Sequence, residues 1–252
     1  MLSLDRQRRL LQHIRQQGSG NVTELARTLG VSTSTVRRDL REMNERGLLT
    51  RVHGGASLPN ADLEPVLTSR GAEHSDEKRR IGEAATRFVH PGATVLVTGG
   101  TTTEAMIPFL AGVDSLTVVT NGLNIACQLT RYPQIAVVVL GGVLRHEEMS
   151  LLGPIAEQVL SEFHIDVAVS SAYGIDPEAG LSGTNVTEAG TDRRMLQAAD
   201  TLVVLADSSK VGRRGPVRLA SSEQIDHLVT DVGAPPDALE AFRGKGIDVL
   251  AC

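Results

Sequence analysis

Aromatic side chains are nearly absent from this chain of 252 residues, which has no Trp, two Tyr and four Phe. Stacking on bases or sugar rings therefore has little part in whatever it binds, and RNA reading, which relies on aromatic platforms, is disfavoured. Cysteine is scarce too. Cys127 and Cys252 form no CxxC pair and no disulfide ladder, which argues against structural zinc and fits a reducing compartment. The longest apolar run, Ile135 to Leu140, is too short to span a bilayer, and the opening MLSLDRQRR carries charge where a secretory leader needs an apolar stretch. A cytoplasmic protein with no membrane partner is expected.

What is present is globular: 41% hydrophobic and 22% charged residues, which excludes disorder and fibrous repeats. The net charge of −5 is unevenly placed. Residues 1–60 hold ten Arg and no Lys against Asp5, Glu24, Asp39, Glu42 and Glu45, a net of +5, so the remainder carries −10. A small polyanion-binding module on an acidic body has this asymmetry, although a solvated basic face has it as well.

Periodicity favours the first reading. Leu10, Leu11 and Ile14 recur at helical spacing before the Gly18-Ser19-Gly20 break. Asn21 or Thr23 then caps a short helix with Leu25, Ala26 and Leu29 inward, and Gly30 ends it. Ser32 or Thr33 caps a third helix with Val36, Leu40 and Met43 inward. Two short helices joined by a Gly-containing turn form a helix-turn-helix pattern.

On the third helix Ser34, Arg37, Arg38 and Arg41 fall on the face opposite the core. Such a face suits the major groove, where Arg reads guanine or pairs with phosphate. Ser32, Thr33, Ser34 and Thr35 at the helix start can bond phosphates or base edges. After Gly47, LLTRVHGGA alternates like a hairpin, and its Arg51 and His53 are placed to reach the backbone or the minor groove. The expected module is a winged helix-turn-helix. Its run from Val31 to Ala56, with TVRRDL and RVHGGA, resembles the DNA-binding signature of the DeoR family of bacterial sugar-metabolism regulators.

Residues 58–75, with Pro and weak periodicity, read as a linker that can include a short helix, separating a module at 1–57 from a body at 76–252. In the body Ile81, Ala84, Ala85 and Phe88 predict a helix. Strands are predicted at 94–98, 116–120, 135–140, 165–170, 201–206, 227–230 and 246–250. Their unalternating Val, Leu, Ile and Ala content predicts an α/β fold with a parallel sheet covered on both faces. Ligands of such sheets bind at the carboxyl ends of the strands.

Four strand ends carry polar, glycine-bearing or basic segments. Thr98, Gly99, Gly100, Thr101, Thr102 and Thr103 offer close backbone approach and hydroxyl donors, a device that suits an anion or serves as a plain tight turn. Asn121 with Gly122, Gly141 with Gly142 and Arg145, and Lys210 follow on later strands, and together they point to a polar small-molecule pocket. Stacking there is limited to Tyr173. The His residues show no ligand-pair spacing, no GxSxG elbow is present, and neither metal nor cofactor is expected.

These segments also resemble the DeoR sensor domain, so the resemblance covers nearly the whole chain. It implies a Rossmann-like body similar to ribose-5-phosphate isomerase, with catalysis lost and the pocket kept for a phosphorylated sugar or related metabolite. GTTT at 100–103, TNGLN at 120–124, GGVLR at 141–145, Glu188, ADSSK at 206–210 and the basic Lys78 match family positions. Thr98 stands where the family usually has Asp, and Asp192 where it usually has Lys, which implies a less typical effector, such as a sugar acid, a polyol or another phosphorylated derivative. The protein implied is a repressor acting on double-stranded operator DNA as a homo-oligomer, dimer or tetramer, since one small head contacts few base pairs. An active phosphosugar isomerase fused to a DNA-binding head is the alternative, because Glu188 and Asp192 lie four apart and paired carboxylates can relay a proton.

Overall fold

The computed structural model describes residues 3–17, 19–52, 55–57, 67–71, 73–146, 148–186 and 189–252. They form two compact units, Met1–Arg70 and Gly71–Cys252.

The N-terminal unit contains α1 (Ser3–Gln17), β1 (Ser19–Asn21), α2 (Val22–Leu29), α3 (Thr33–Glu45), β2 (Thr50–Val52), β3 (Gly55–Ser57) and a single helical turn, α4 (Leu67–Arg70). Asn21 caps α2 by accepting the Thr23 N–H, and Ser32 caps α3 by accepting the Thr35 N–H. Gly30, with φ of 64°, sends its N–H back to the Ala26 and Arg27 carbonyls, so the turn between the helices rests on a left-handed residue. Leu10, Ile14, Leu25, Val36, Leu40 and Met43 interlock around Ala56 of the wing, all buried. The wing is the expected hairpin, with Arg51 paired to Ala56. The pattern did not reveal β1, which makes the sheet order β1-β3-β2. It pairs because Gly20 and Gly55 lack Cβ atoms: one on Gly55 would sit 2.2 Å from the Gly20 carbonyl oxygen.

The C-terminal unit opens with α5 (Ser75–Ala85) and continues through β4 (Thr94–Val97), α6 (Thr101–Leu110), β5 (Thr117–Thr120), α7 (Leu123–Leu129) and β6 (Ala136–Val139). A small hairpin, β7 (Val143–Arg145) and β8 (Ser150–Leu152), precedes α8 (Pro154–Leu160) and β9 (Ile165–Ser171). Then come β10 (Gly174–Asp176), β11 (Gly180–Gly183), α9 (Ala189–Gln197), β12 (Ala199–Leu205), β13 (Val217–Ala220), β14 (His227–Thr230), α10 (Pro236–Gly244) and β15 (Asp248–Ala251).

All seven predicted strands join one parallel sheet in the order β15-β14-β12-β9-β4-β5-β6. Alternate residues feed two cores. Val95, Val97, Val167 and Val169 face one, Leu96, Ala168 and Val204 the other, which is why these strands read as unbroken apolar runs. Chain order reverses between β4 and β9, the topological switch point beside which sheets of this kind bind their ligands. A second, antiparallel sheet, β10-β11-β13, and the β7-β8 hairpin were not foreseen; their strands are only three or four residues long, and β10 and β11 carry glycine. Among the described residues no helix is long and apolar enough to cross a membrane.

Candidate functional sites

On α3, Ser32, Thr33, Ser34, Arg37, Arg38 and Arg41 are exposed and Thr35 is half-buried, so the expected cationic face stands in solvent. Ser32 Oγ lies 2.8 Å from both Ser34 Oγ and Thr35 Oγ1, which ties the hydroxyls of the helix start to one another. The opposite face is anchored by a pair that spacing alone did not reveal. Arg6 of α1 grips the buried Asp39 carboxylate with Nε and, at 3.0 Å, with Nη2. The hydrogen bond to Asp39 raises the guanidinium pKa further. Gln7 adds a 2.9 Å bond to Glu42. The α3 acids therefore fix the helix on α1 and leave its arginines outward. Arg51 lies on β2, and His53 lies outside the described residues.

At the switch point, the Thr98-Gly99-Gly100 loop after β4 is woven into its neighbours. Asn121 Oδ1 accepts the Gly99 N–H at 3.0 Å, and Ser171 at the end of β9 donates its hydroxyl to the Gly99 carbonyl at 3.2 Å. Buried Thr103 donates to the carbonyls of Thr98 and Gly100, closing the loop onto the first turn of α6, where Thr101 and Thr102 also sit. A Cβ on Gly100 would stand 2.1 Å from Ser171 Oγ. Gly122 packs on Gly99 with 2.8 Å between the Gly99 Cα and a would-be Cβ. Thr120 holds this second loop by accepting the Gly122 N–H and donating to the Val97 carbonyl. Thr98, Gly99, Gly100, Thr103, Asn121 and Gly122 thus form one constellation.

Arg145 joins it through the backbone: it pairs with Ser150, which bridges to Gly122. Gly141 and Gly142 connect β6 to β7, Gly142 against the Leu152 backbone. Lys210 is half-buried on a 3-10 turn, Ser208–Lys210, after β12, and Asp231 places that turn by accepting the Ser208 N–H at 2.6 Å. Burial pushes the Asp231 carboxyl up, but the Ser208 and Gly233 N–H groups and the Ser208 hydroxyl outweigh it, and its pKa is lowered. In the same way burial raises Asp176, while Arg214 and the Ala179 and Glu178 N–H groups prevail and lower it.

Other expected residues stand apart. Tyr173 lies beneath the Arg213 guanidinium, 3.7 Å from its ring centre, so the stacking face considered for a ligand is covered by Arg213. Lys78 is buried and donates to the Glu73 carbonyl at 2.7 Å. Asp192 lies half-buried in the first turn of α9, beside Thr191, which bonds Glu157 and the Gly153 N–H. Next to Asp192, Arg193 donates to the Arg218 carbonyl through two nitrogens. Glu188 lies outside the described residues.

Sequence reasoning missed Ser170, Ser171, Ser150 and Asn124. The signal was there for the serines of β9, which end the apolar run IDVAVSS with hydroxyls much as TGGTTT ends the β4 run. Asn124 donates from Nδ2 to the Gly100 carbonyl and to Glu104, while its buried Oδ1 has no hydrogen-bond partner. At the opposite, amino end of the strands, His164, Asp166 and Asp200 bring three potential ligand atoms within 4.8 Å. His164 and Asp200 are exposed there, and Asp166 already accepts the Thr94 N–H.

A family model described as the DeoR C-terminal sensor domain matches residues 73–232, and one described as a DeoR-like helix-turn-helix domain matches residues 6–62. The chain is 33% identical over 249 residues to the putative aga operon transcriptional repressor of Escherichia coli O157:H7, covering 98% of this chain and 93% of that one. It is 29% identical to the glycerol-3-phosphate regulon repressor of Escherichia coli K12, with 100% of each covered. Among solved structures, the sorbitol operon regulator SorC of Klebsiella pneumoniae aligns with a TM-score of 0.44 at 15% identity, covering 93% and 98% of the two chains. Ribose 5-phosphate isomerase A of Methanocaldococcus jannaschii aligns with a TM-score of 0.41 at 17% identity, covering 55% of each.

Proposed function

The chain belongs to the DeoR family of transcriptional regulators, and from that premise we propose that it represses a carbohydrate-metabolism operon and releases or grips its operator according to a sugar-derived metabolite held at the strand ends of the C-terminal unit. The observation that carries the DNA-binding half is the exposed row Ser34, Arg37, Arg38 and Arg41 on an α3 pinned from behind by Arg6 and Asp39. Arg37, Arg38 and Arg41 read base edges and phosphates in the major groove, the hydroxyls of residues 32–35 bond the backbone, and the wing with Arg51 and His53 lies along the flank. Two heads of a homo-oligomer share one operator in the cytoplasm, with residues 58–75 as the linker between a 1–57 head and a 76–252 sensor.

The effector half rests on the constellation at the β4/β9 switch point. Backbone N–H groups at the start of α6, with Thr101 and Thr102, suit a polyhydroxylated ligand, and Asn121 and Ser171 hold the Gly99 loop that presents them. Arg145 and Lys210 are assigned to a phosphate or carboxylate of the effector, and Lys78, Glu188 and Asp192 complete the proposed set. If the effector induces, it binds the DNA-free arrangement more tightly; a corepressor does the reverse. The unit senses without catalysis, its relatives being named as regulators.

A thermal-shift panel of sugar phosphates, sugar acids and polyols on the full chain, paired with operator footprinting, tests the proposal. At least one compound is expected to raise the melting temperature of the wild type and not of Asn121→Ala, and to change the footprint. A panel with no hit, or a hit that leaves the footprint unchanged, removes the effector half. Turnover of aldose or ketose phosphates would replace the sensor with the isomerase reading.

A further inference from the structure

Seven large apolar side chains stand exposed among the described residues, and five of them, Val137, Val139, Val143, Leu144 and Ile155, lie along one margin of the C-terminal unit, exposed by 37% to 72%. Val137 and Val139 belong to β6, an edge strand of the sheet. Val143 and Leu144 follow on β7, and Ile155 of α8 lies 3.7 Å from the space beside Gly141. A single exposed valine means nothing; several gathered on one margin point to an interaction surface.

The backbone adds to the strip. Ala136 and Leu140 send their N–H groups inward, to Leu116 and Thr120. Since residues of a parallel strand bond alternately to either side, Val137 and Val139 turn their N–H and C=O groups to the open edge. The far edge of the same sheet is guarded differently: β15 carries the charged, exposed Asp248, paired with His227, and its Val249 and Leu250 pack into the two cores. On β6 no charge blocks approach. Ile135 to Leu144 contains no charged residue at all, and a groove of about 420 Å³ beside it, lined by Cys127, Thr130, Tyr132, Pro133, Val137 and Val139, offers seats for apolar side chains.

We propose that this margin is the interface between two copies of the chain, β6 lying antiparallel to β6 across a two-fold axis so that the parallel sheets join into one. A second copy is the occupant that the charges select. The residues beyond 60 carry −10, so two such bodies repel over most of their surfaces. The neutral strip from Ile135 to Leu144 is where they meet without that penalty, and its own image satisfies both its apolar side chains and its open backbone groups. Two-fold pairing is also the symmetry that operator half-sites demand; in this the inference rests on the DNA-binding reading above. A strand edge paired with itself is closed, so this face yields a dimer and not a filament.

The test uses the full chain carrying Val139→Lys with Val143→Lys, and a second variant carrying Val139→Glu with Val143→Glu. Mass is measured by light scattering and native mass spectrometry, melting by circular dichroism, and operator affinity by titration. Each variant alone is expected to halve the wild-type mass and lose at least tenfold in operator affinity, with its melting curve unchanged apart from the part owed to dissociation. Mixed in equal amounts, the lysine and glutamate variants are expected to regain the wild-type mass as a mixed dimer. Variants that keep the wild-type mass, or a mixture that stays at half mass, overturn the interface. A wild type that dimerises through this strip yet ignores operator DNA leaves the interface standing and removes the DNA-binding reading instead.

Discussion

The two units build their sites from opposite materials. The head presents charge: long, exposed arginines on one helix, held outward by a buried ion pair on the other side of the same helix. The body presents backbone: glycines packed Cα to Cα, carbonyls clasped by Thr103 and Ser171, and an amide, Asn121, bridging adjacent loops. A site made of exposed side chains loses function when one is truncated and keeps its fold. Where close-packed loops form the site, function and stability should fall together.

Asp39→Ala gives the largest expected effect, because it removes the buried carboxylate that Arg6 grips through two nitrogens beneath α3. Breaking such a pair costs about 3 kcal/mol. Amide hydrogen exchange on the full chain should show protection lost across α1 and α3 and kept in the parallel sheet. Uniform loss across both units would mean that the units do not melt separately.

Arg37→Ala isolates the exposed half of that helix. It should weaken operator binding by about 1 to 3 kcal/mol, a good major-groove contact, while exchange protection and the thermal midpoint stay unchanged, as for exposed surface substitutions. Affinity within twofold of the wild type would remove Arg37 from the reading face.

Thr103→Val is the counterpart in the body. It is close to isosteric, and it strips the Thr98 and Gly100 carbonyls of a buried donor, for about 1 to 2 kcal/mol of stability. Its melting temperature and the shift given by an effector from the compound panel should fall together, with operator affinity in the absence of effector unchanged. A variant that melts lower and binds effector normally would separate the loop from the site.

The contrast also explains what was legible in the sequence. The head was legible down to its caps, because Asn21, Gly30 and Ser32 act locally and Val36, Leu40 and Met43 follow the helical period. The seven parallel strands were legible because burial on both faces forces apolar runs. The Arg6–Asp39 pair, 33 residues apart, and the strands β10, β11 and β13 were not, since each depends on tertiary neighbours that no local pattern encodes. In the body the polar strand ends marked where the loops meet, but not that Tyr173 lies under Arg213 or that Arg193 is tied to the Arg218 carbonyl. Composition located the constellation; only packing showed which members touch.

The smallest expected effect concerns acid, and it belongs to the body. The pKa of Asp231 is lowered because the Ser208 and Gly233 N–H groups and the Ser208 hydroxyl stabilise its carboxylate against the cost of burial. A carboxyl held below its unfolded value of 3.8 contributes stability that is fully present above that value and is lost as pH falls through the folded pKa. Asp231→Asn should therefore lower the melting temperature of the body slightly at pH 7 and flatten its decline below about pH 4. Since Asp231 seats the turn that carries Lys210, the same variant should also weaken any anionic compound that binds at the strand ends more than a neutral one of similar size. Equal weakening of both would mean that the turn shapes the pocket without supplying its charge.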